Sequence, residues 1–381
     1  MLQFLQSFYA VSHKEDFMRI NSAVVVFACF AWMASAPSVW AGNCPGAVPD
    51  DNIDDSAAIN FCLANNPTSV ILAYGTYDID ATLNLTRDNL IFTGEFLNGV
   101  PPGLLARPGL VGPMLLTSAD ADGWELSGLA FVGNKANRTN AASCAGYRGN
   151  WNNLNINGTF FLIHHIASNE TLCGSAMEVQ NASNYVIRDN QFWDNGSETG
   201  PGAEPWSDGI TLWKCPDGDV LNNFLINSTD VALIVGGGFS CEIQFNEIIQ
   251  QDSFAYAGFM VHKFSDGLHA TSLYHDQTIR SGLDKLGFGI MVGSHPWDPN
   301  ITIEGGSVYS NYIEGAVYNL VVDGISQGSV QNNTTVGNQG TRGWPCFSGE
   351  TFAYTVAHKG TADTQPGEVA YQHHSPCGPP Q

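Results

Sequence analysis

Short β-rich runs, each stopped by a Gly or Asn corner, follow one another from about Asp120 onward. They read WELSGLAFVGN from Trp124, YVIRDNQFWDN from Tyr185, VLNNFLINS from Val220, CEIQFNEIIQ from Cys241, GSVYSNYIEG from Gly306 and GSVQNNTTVGN from Gly328. Such runs are strand-like, with apolar side chains turned to a core. Strands this short bury no core alone, whereas stacked coils about 4.8 Å apart bury one in common. Asn190, Asn223, Asn246, Asn311 and Asn333 take corresponding places. Their spacing falls in the 20–50-residue range of solenoid repeats. The span from Asn246 to Asn311 reads as three coils, and that from Asn190 to Asn223 as one coil plus a loop over residues 194–205. Asn at a corner tolerates left-handed dihedrals and can hydrogen-bond to the same residue one coil away. The pattern predicts an all-β chain, a single solenoid of stacked coils.

The stretch from Trp206 to His262 sharpens the repeat. Written in lines of 22, it sets Ser207-Asp208 above Thr229-Asp230 above Gln251-Asp252, each ahead of a strand-like run. Residues one period apart are stacked neighbours in a solenoid. The spacing therefore predicts a column of three carboxylates.

Upstream, residues 56–63 carry Ala58, Ile59, Cys62 and Leu63 at helical spacing. Asp54 or Asp55 is placed to cap this short helix, and Asn65-Asn66-Pro67 stops it. Residues 70–72 then read as a strand, 74–77 as a turn, and 82–85 and 90–92 as further strands. This opening resembles the N-terminal cap of the pectate-lyase-like superfamily of right-handed parallel β-helices. That cap has an acidic helix start, an AI-rich helix and then V-x-L-P-x-G-x-Y, with Ala73 here at the proline position. The resemblance implies the same fold, with a short capping helix. After about Gly340 the repeat is lost, and residues 341–381 read as a C-terminal cap and tail around a β-helix domain of residues 42–340.

Composition adds a compartment. Arg19, an apolar run and Val39-Trp40-Ala41 predict a secretory signal over residues 18–41 within a leader of residues 1–41. The rival reading is a membrane anchor, for which the run is short. No later run is apolar enough to span a bilayer. Outside the signal stand eight cysteines, the even set that disulfides require, with sequential pairing the simplest arrangement. Ten N-x-S/T sequons fit either a glycosylated chain or a merely Asn-rich one. Lys+Arg is 14 and Asp+Glu 36, a net charge of −22. That argues against nucleic acid and anionic membranes as partners. It also complicates the binding of polyanionic sugars, which needs basic residues or bridging calcium, and a neutral glycan is equally compatible. A polysaccharide, bound by a monomer outside the cell or in a periplasm, is the partner expected.

Candidate chemistry centres on Asp208, Asp230 and Asp252. Stacked carboxylates cannot all ionise freely, so one is raised, and a raised and an ordinary carboxyl form an acid/base pair for glycoside hydrolysis. The same three side chains suit a calcium ion or simply satisfy backbone N–H groups in turns. The stretch resembles the polygalacturonase-type glycoside hydrolases, in which N-T-D is followed by an Asp pair, then G-H-G and R-I-K. Here Ser207-Asp208-Gly209 stands near the first motif and Thr229-Asp230 at the second, while residues 258–262, Arg280 and Lys285 do not reproduce the last two.

His262 and Lys263, with His275 and Arg280 beyond, fit the base and charge-neutralising roles of a lyase or are exposed polar loop residues. Trp206 and Trp213 flank the aspartates as candidate sugar platforms, or pack within a coil. His164-His165 sits in a strand-like run, where neighbours point oppositely, so at most one faces any groove. There is no G-x-S-x-G, Walker loop, dinucleotide fingerprint, H-E-x-x-H or zinc spacing, and no cofactor is expected beyond the calcium option. The expectation is a secreted carbohydrate-active enzyme cleaving a polysaccharide, a hydrolase before a lyase. The alternative is a non-catalytic surface β-helix that binds a glycan or a protein.

Overall fold

The computed structural model describes residues 42–138, 152–196, 207–264, 267–283, 285–293, 303–316, 318–322 and 325–336. The leader, the tail over residues 341–381 and Trp206 lie outside the described residues.

Three parallel sheets of 11, 10 and 9 strands run the length of the described chain. One coil shows the plan. Val186–Arg188 lies in the first sheet, Gln191–Trp193 in the second and Ile210–Leu212 in the third. Each pairs with its counterpart one coil on, Val186 with Asp219, Gln191 with Phe224 and Ile210 with Leu233. This is the right-handed parallel β-helix, the hand that parallel crossovers adopt. Many strands of the first two sheets have three residues and bury only the middle one, such as Ile187, Val220 and Ile243. In the third sheet Val231–Val235, Ala255–Val261 and Leu286–Val292 are buried on both faces.

The corner between the first and second sheets holds the register. Asn190, Asn223, Asn246, Gln277, Asn311 and Asn333 line up there, all buried. Asn223 Oδ1 accepts both the Asn190 backbone N–H (3.2 Å) and side-chain N–H (2.9 Å), while Asn223 Nδ2 donates to Ile187 O at 3.0 Å. Asn246 repeats this toward Asn223, Gln277 toward Asn246, and Asn333 toward Asn311. These buried amides are thereby satisfied by the neighbouring coils.

Two expectations change here. The residue with left-handed backbone is the one before each ladder amide (Asp189, Asn222, Phe245, Asp276, Ser310, Asn332), not the amide itself. Asn246 and Asn311 are also two coils apart, not three, because Gln277 fills the rung between them, 31 residues after Asn246 and 34 before Asn311. The coil after Asn246 is long because its strands Ala255–Val261 and Leu268–His275 are long, and the coil after Gln277 adds a longer corner over 293–302.

This corner keeps two residues in every coil from residues 128–129 to 332–333. The corners on either side of the third sheet vary. Between the second and third sheets the connection is 227–230 in one coil and 194–209 in the coil before. Between the third and first it is 236–241 in one coil and 293–302 in another.

The helix Ser56–Asn65 closes the N-terminal end, burying Ile59, Cys62 and Leu63. Asp54, rather than the N-cap Asp55, satisfies its first turn, accepting Ser56 N at 3.0 Å and Ser56 Oγ at 2.6 Å. Asp55 instead holds Val48 N and Asp78 N. Thr76 and Tyr77 begin the strand Thr76–Ile79 and are not part of a turn, because Tyr77 is a core residue. Disulfides join Cys44 to Cys62 and Cys215 to Cys241, in agreement with sequential pairing. The second staples successive corners between the third and first sheets. Such bonds persist in oxidising compartments. No helix among the described residues is long and apolar enough to cross a membrane.

Candidate functional site

On the third sheet, Met177 and Val179 of Met177–Ser183 point into the core, as do Ile210 and Leu212 of the next strand. Alternation therefore turns Glu178 and Thr211 outward. Asn155, Glu178, Thr211, Ile234, Met260, Met291 and Val321 form one outward row. The row is polar over its first three coils and apolar over the last four. Its polar end gathers two carboxylates.

Asp208 sits two residues before Ile210 and is half-buried. Its Oδ2 accepts the Thr211 hydroxyl at 2.6 Å and the Ser175 hydroxyl at 3.4 Å, and its Oδ1 accepts Val231 N at 3.1 Å. Desolvation, opposed by these hydrogen bonds and reinforced by the charge of Glu178, pushes the Asp208 carboxyl up to about 6. Glu178 is only 5 % exposed. It accepts N–H groups from Asn152 Nδ2, Trp213 Nε1 and Gln180 Nε2, the last at 2.9 Å. Asn152 Oδ1 in turn takes Ser175 N at 2.6 Å, closing the network.

The predicted aspartate column does not form. Ile210 pairs with Leu233 rather than with Ala232, so Asp208 stands level with Val231 and not with Asp230. Val231 in turn pairs with Ala257 rather than with Ser253, which sets Asp230 level with Tyr256. A uniform period of 22 thus falls short at both steps, which take the chain from Ile210 to Leu233 and from Val231 to Ala257. Asp230 adjoins the cluster through its backbone, its N–H donating to Ser207 O at 3.1 Å. Asp252 is an exposed corner residue whose Oδ2 accepts Asn227 Nδ2 at 2.9 Å.

Trp213, Gly236 and His262 occupy the next outward column. Each donates its N–H to the preceding coil, to Val179, Leu212 and Val235 respectively. Phe264 fills the space above Gly236, where any Cβ would come within 2.3 Å of its ring. Phe264 contacts both Trp213 (ring centroids 5.2 Å apart) and His262 (5.4 Å). Trp213 remains 40 % exposed, whereas His262 is 4 % exposed behind Phe264. Lys263 is half-buried, with its stem against Gly267.

His275 and Arg280 lie on other sheets. His275, on the first, bonds Glu242 and Asp276 and stacks on Tyr309. Arg280, on the second, pairs with Glu247 at 3.0 Å. His164 is outward on the first sheet, bonded to Glu125 at 3.1 Å, and no group of three His, Cys, Asp or Glu among the described residues is placed to hold a metal.

Sequence reading thus brought Asp208 and Trp213 to one face and missed Glu178, Ser175, Thr211 and Phe264. Glu178 does carry a signal: a carboxylate between two apolar residues of a strand, in Met-Glu-Val, must face outward.

No known protein family's sequence profile matches the chain, and no curated protein is similar to it in sequence. Similar solved structures include the Dettilon tailspike protein gp208, at 13% identity and a TM-score of 0.49. The similarity covers 78% of this chain and 62% of the tailspike, less than two thirds of that protein's length. Another is the hyperthermoactive exopolygalacturonase of Thermotoga maritima, at 11% identity and 0.46, covering 77% of this chain and 86% of the other. A third is PfbA, a surface adhesin of Streptococcus pneumoniae, at 12% and 0.42, covering 77% and 90%. The fold itself rests on the ladders of this chain.

Proposed function

We propose that the chain is a secreted carbohydrate-active enzyme that hydrolyses a polysaccharide on the outer face of the third sheet. Asp208 is the proton-transferring group, and Glu178 is its partner carboxylate. The observation that carries this reading is a carboxyl raised to about 6, two residues ahead of the strand Ile210–Leu212, under the influence of a second carboxylate, Glu178, on the strand paired with it. A group near 6 exchanges protons readily in mildly acidic solution, as a general acid must. Trp213, supported by Phe264, offers a sugar ring an aromatic face beside them.

Hydrolysis suits the site better than elimination. The hydrogen-bond partners described for the two carboxylates are hydroxyls, side-chain and backbone amides and an indole, none of them a cation that would neutralise a uronate. The net charge of −22 also favours a neutral glycan. Asp230 flanks the cluster, and His262 and Lys263 support Phe264 and the adjoining corner.

One observation favours a second reading. Three N–H donors on a nearly buried Glu178 would equally suit a structural carboxylate in a glycan-binding β-helix without activity. A screen for new reducing ends and unsaturated products on a polysaccharide panel, with and without EDTA, separates the readings. Loss of products in Asp208→Asn and Glu178→Gln supports the hydrolase. Unsaturated products with EDTA sensitivity point to a calcium-assisted lyase. No product from any glycan, or full activity in both variants, overturns the site.

A further inference from the structure

Thr271, Gly305 and Gln327 each stand two residues before the paired Leu273, Ser307 and Ser329, although the register itself sets Gly305 against His269. Thr271 and Gly305 lie inside strands of the first sheet and Gln327 just beyond Ile325–Ser326, and the backbone is left-handed at all three, with φ of 58°, 87° and 57°. In earlier coils the same position holds Asn184, Asp217 and Ser240, also left-handed. Of these, Ser240 reaches the next coil with its side chain, its Oγ lying 3.1 Å from Thr271 Oγ1. At Gly305 there is none, and Gly306 follows, so two adjacent side chains are missing from one rung.

The strand before adds a wall. Leu268–His275 pairs His269 with Gly305 and then Leu273 with Ser307. Residues 270–272 therefore bulge over Gly306 alone, and a bulge of this kind re-aims side chains locally. A cleft of about 360 Å³ lies against this overhang and the rung of Gly305 and Gly306, whose close approach to His269 and Tyr274 leaves little room for a Cβ. That volume lies within the range of roughly 300–1,000 Å³ for small-ligand sites.

The cleft has the lining of a polyol site. Thr271, Ser307 and Ser329 carry hydroxyls, Gln327 an amide and Glu304 a carboxylate around Gly305 and Gly306. Ser329 Oγ donates to Ser307 Oγ at 3.0 Å, and the Ser272 hydroxyl is buried and bonded to Gly238 O and Cys241 N. Hydroxyls and amides donate and accept alike, as sugar hydroxyls do. No cation among the described residues lines the cleft, so an anionic ligand would face Glu304 uncompensated. The single carboxylate is too few for a metal.

We propose that this cleft binds one neutral pyranose ring of a glycan, as a subsite separate from the Asp208–Glu178 face. The inference rests on the reading of the partner as a glycan, and not on cleavage. Its nearer wall belongs to the coil two beyond that of Thr211, on the order of 10 Å along the axis. A polymer lying along the solenoid would reach both.

The test is calorimetric titration of the full-length protein with methyl glycosides of glucose, galactose, mannose and N-acetylglucosamine, with galacturonate as the anionic probe. Ser307→Phe fills the cleft, and Glu304→Gln removes its charge at an exposed position that leaves folding intact. Saturable binding of at least one neutral glycoside is expected, weakened about tenfold or more by Ser307→Phe and several-fold by Glu304→Gln. No binding of any neutral probe, equal binding in both variants, or tighter binding of galacturonate overturns the proposal. Sugar binding without polysaccharide products sinks the hydrolase reading and leaves the cleft standing. Products without a cleft-dependent sugar site do the reverse.

Discussion

Thr211 Oγ1 donates to Asp208 Oδ2 at 2.6 Å and lies 2.7 Å from Ser175 Oγ, so two hydroxyls from adjacent coils converge on one carboxyl oxygen. These bonds favour the ionised form, yet burial and Glu178 outweigh them and the carboxyl rises to about 6. The folded protein thus keeps a proton that the unfolded chain, with its ordinary carboxyl near 3.8, has already lost. Between pH 4 and 6 more protons are bound in the folded state, so this group's contribution to stability falls as pH rises and is flat above that window. The loss is on the order of 2–3 kcal/mol. Asp208→Asn should show a smaller fall in Tm from pH 4 to pH 7 than the wild type. Equal falls would remove Asp208 as the raised group.

Hydrolysis through the same pair predicts a kinetic signature. Asp208→Asn and Glu178→Gln should each lower kcat by about 10²-fold or more, with KM changed little. The wild-type rate should bend near pH 6. A profile without that bend, measured on any cleaved polysaccharide, would argue against Asp208 as the proton-transferring group.

Gly236 is held small by Phe264. Gly236→Ala places a methyl within 2.3 Å of the Phe264 ring, which must leave its seat against Trp213. The platform should loosen while the carboxylates stay put. Glycan affinity should fall by roughly tenfold, about 1.4 kcal/mol, with kcat nearly unchanged. Affinity equal to the wild type would show that Phe264 does not shape the binding face.

Asn223 serves two coils at once, accepting from Asn190 and donating to Ile187 O and Asn246. Asn223→Ala strands buried partners on both sides, at a cost of roughly 1–3 kcal/mol for each group left unsatisfied. Its unfolding midpoint in denaturant should drop well below that of Arg280→Ala. The Arg280 pair with Glu247 is half-exposed, and such pairs contribute about 0–1 kcal/mol. Similar midpoints for the two variants would contradict the ladder's role.

The architecture was legible because its signal is local and repeated. Short strands, Asn corners and the capping helix each follow from residues within one coil. The site was less legible because register between coils depends on how many residues each coil spends in its strands and corners, which no uniform period encodes. A period of 22 fits the aspartates by letter, but the ladder takes longer steps, from Ile210 to Leu233 and from Val231 to Ala257. Asp208 was therefore found with the wrong partners, and Glu178 was passed over in the coil just upstream. Gln277 shows the same limit: as a longer amide in a row of asparagines, it hid one rung and turned two long coils into an apparent three.

The two-residue corner between the first and second sheets acts as a fixed spine, and coil length varies elsewhere, in strands such as Leu268–His275 and in the corners at the two rims of the site-bearing face. Closing a longer loop costs only about 0.6 kcal/mol per doubling of length. Segments grafted at 227–230 or 236–241 would thus re-contour the rims of the groove while the ladder behind them keeps its register. A library of such rims on one scaffold would separate what the chain recognises from what keeps it folded.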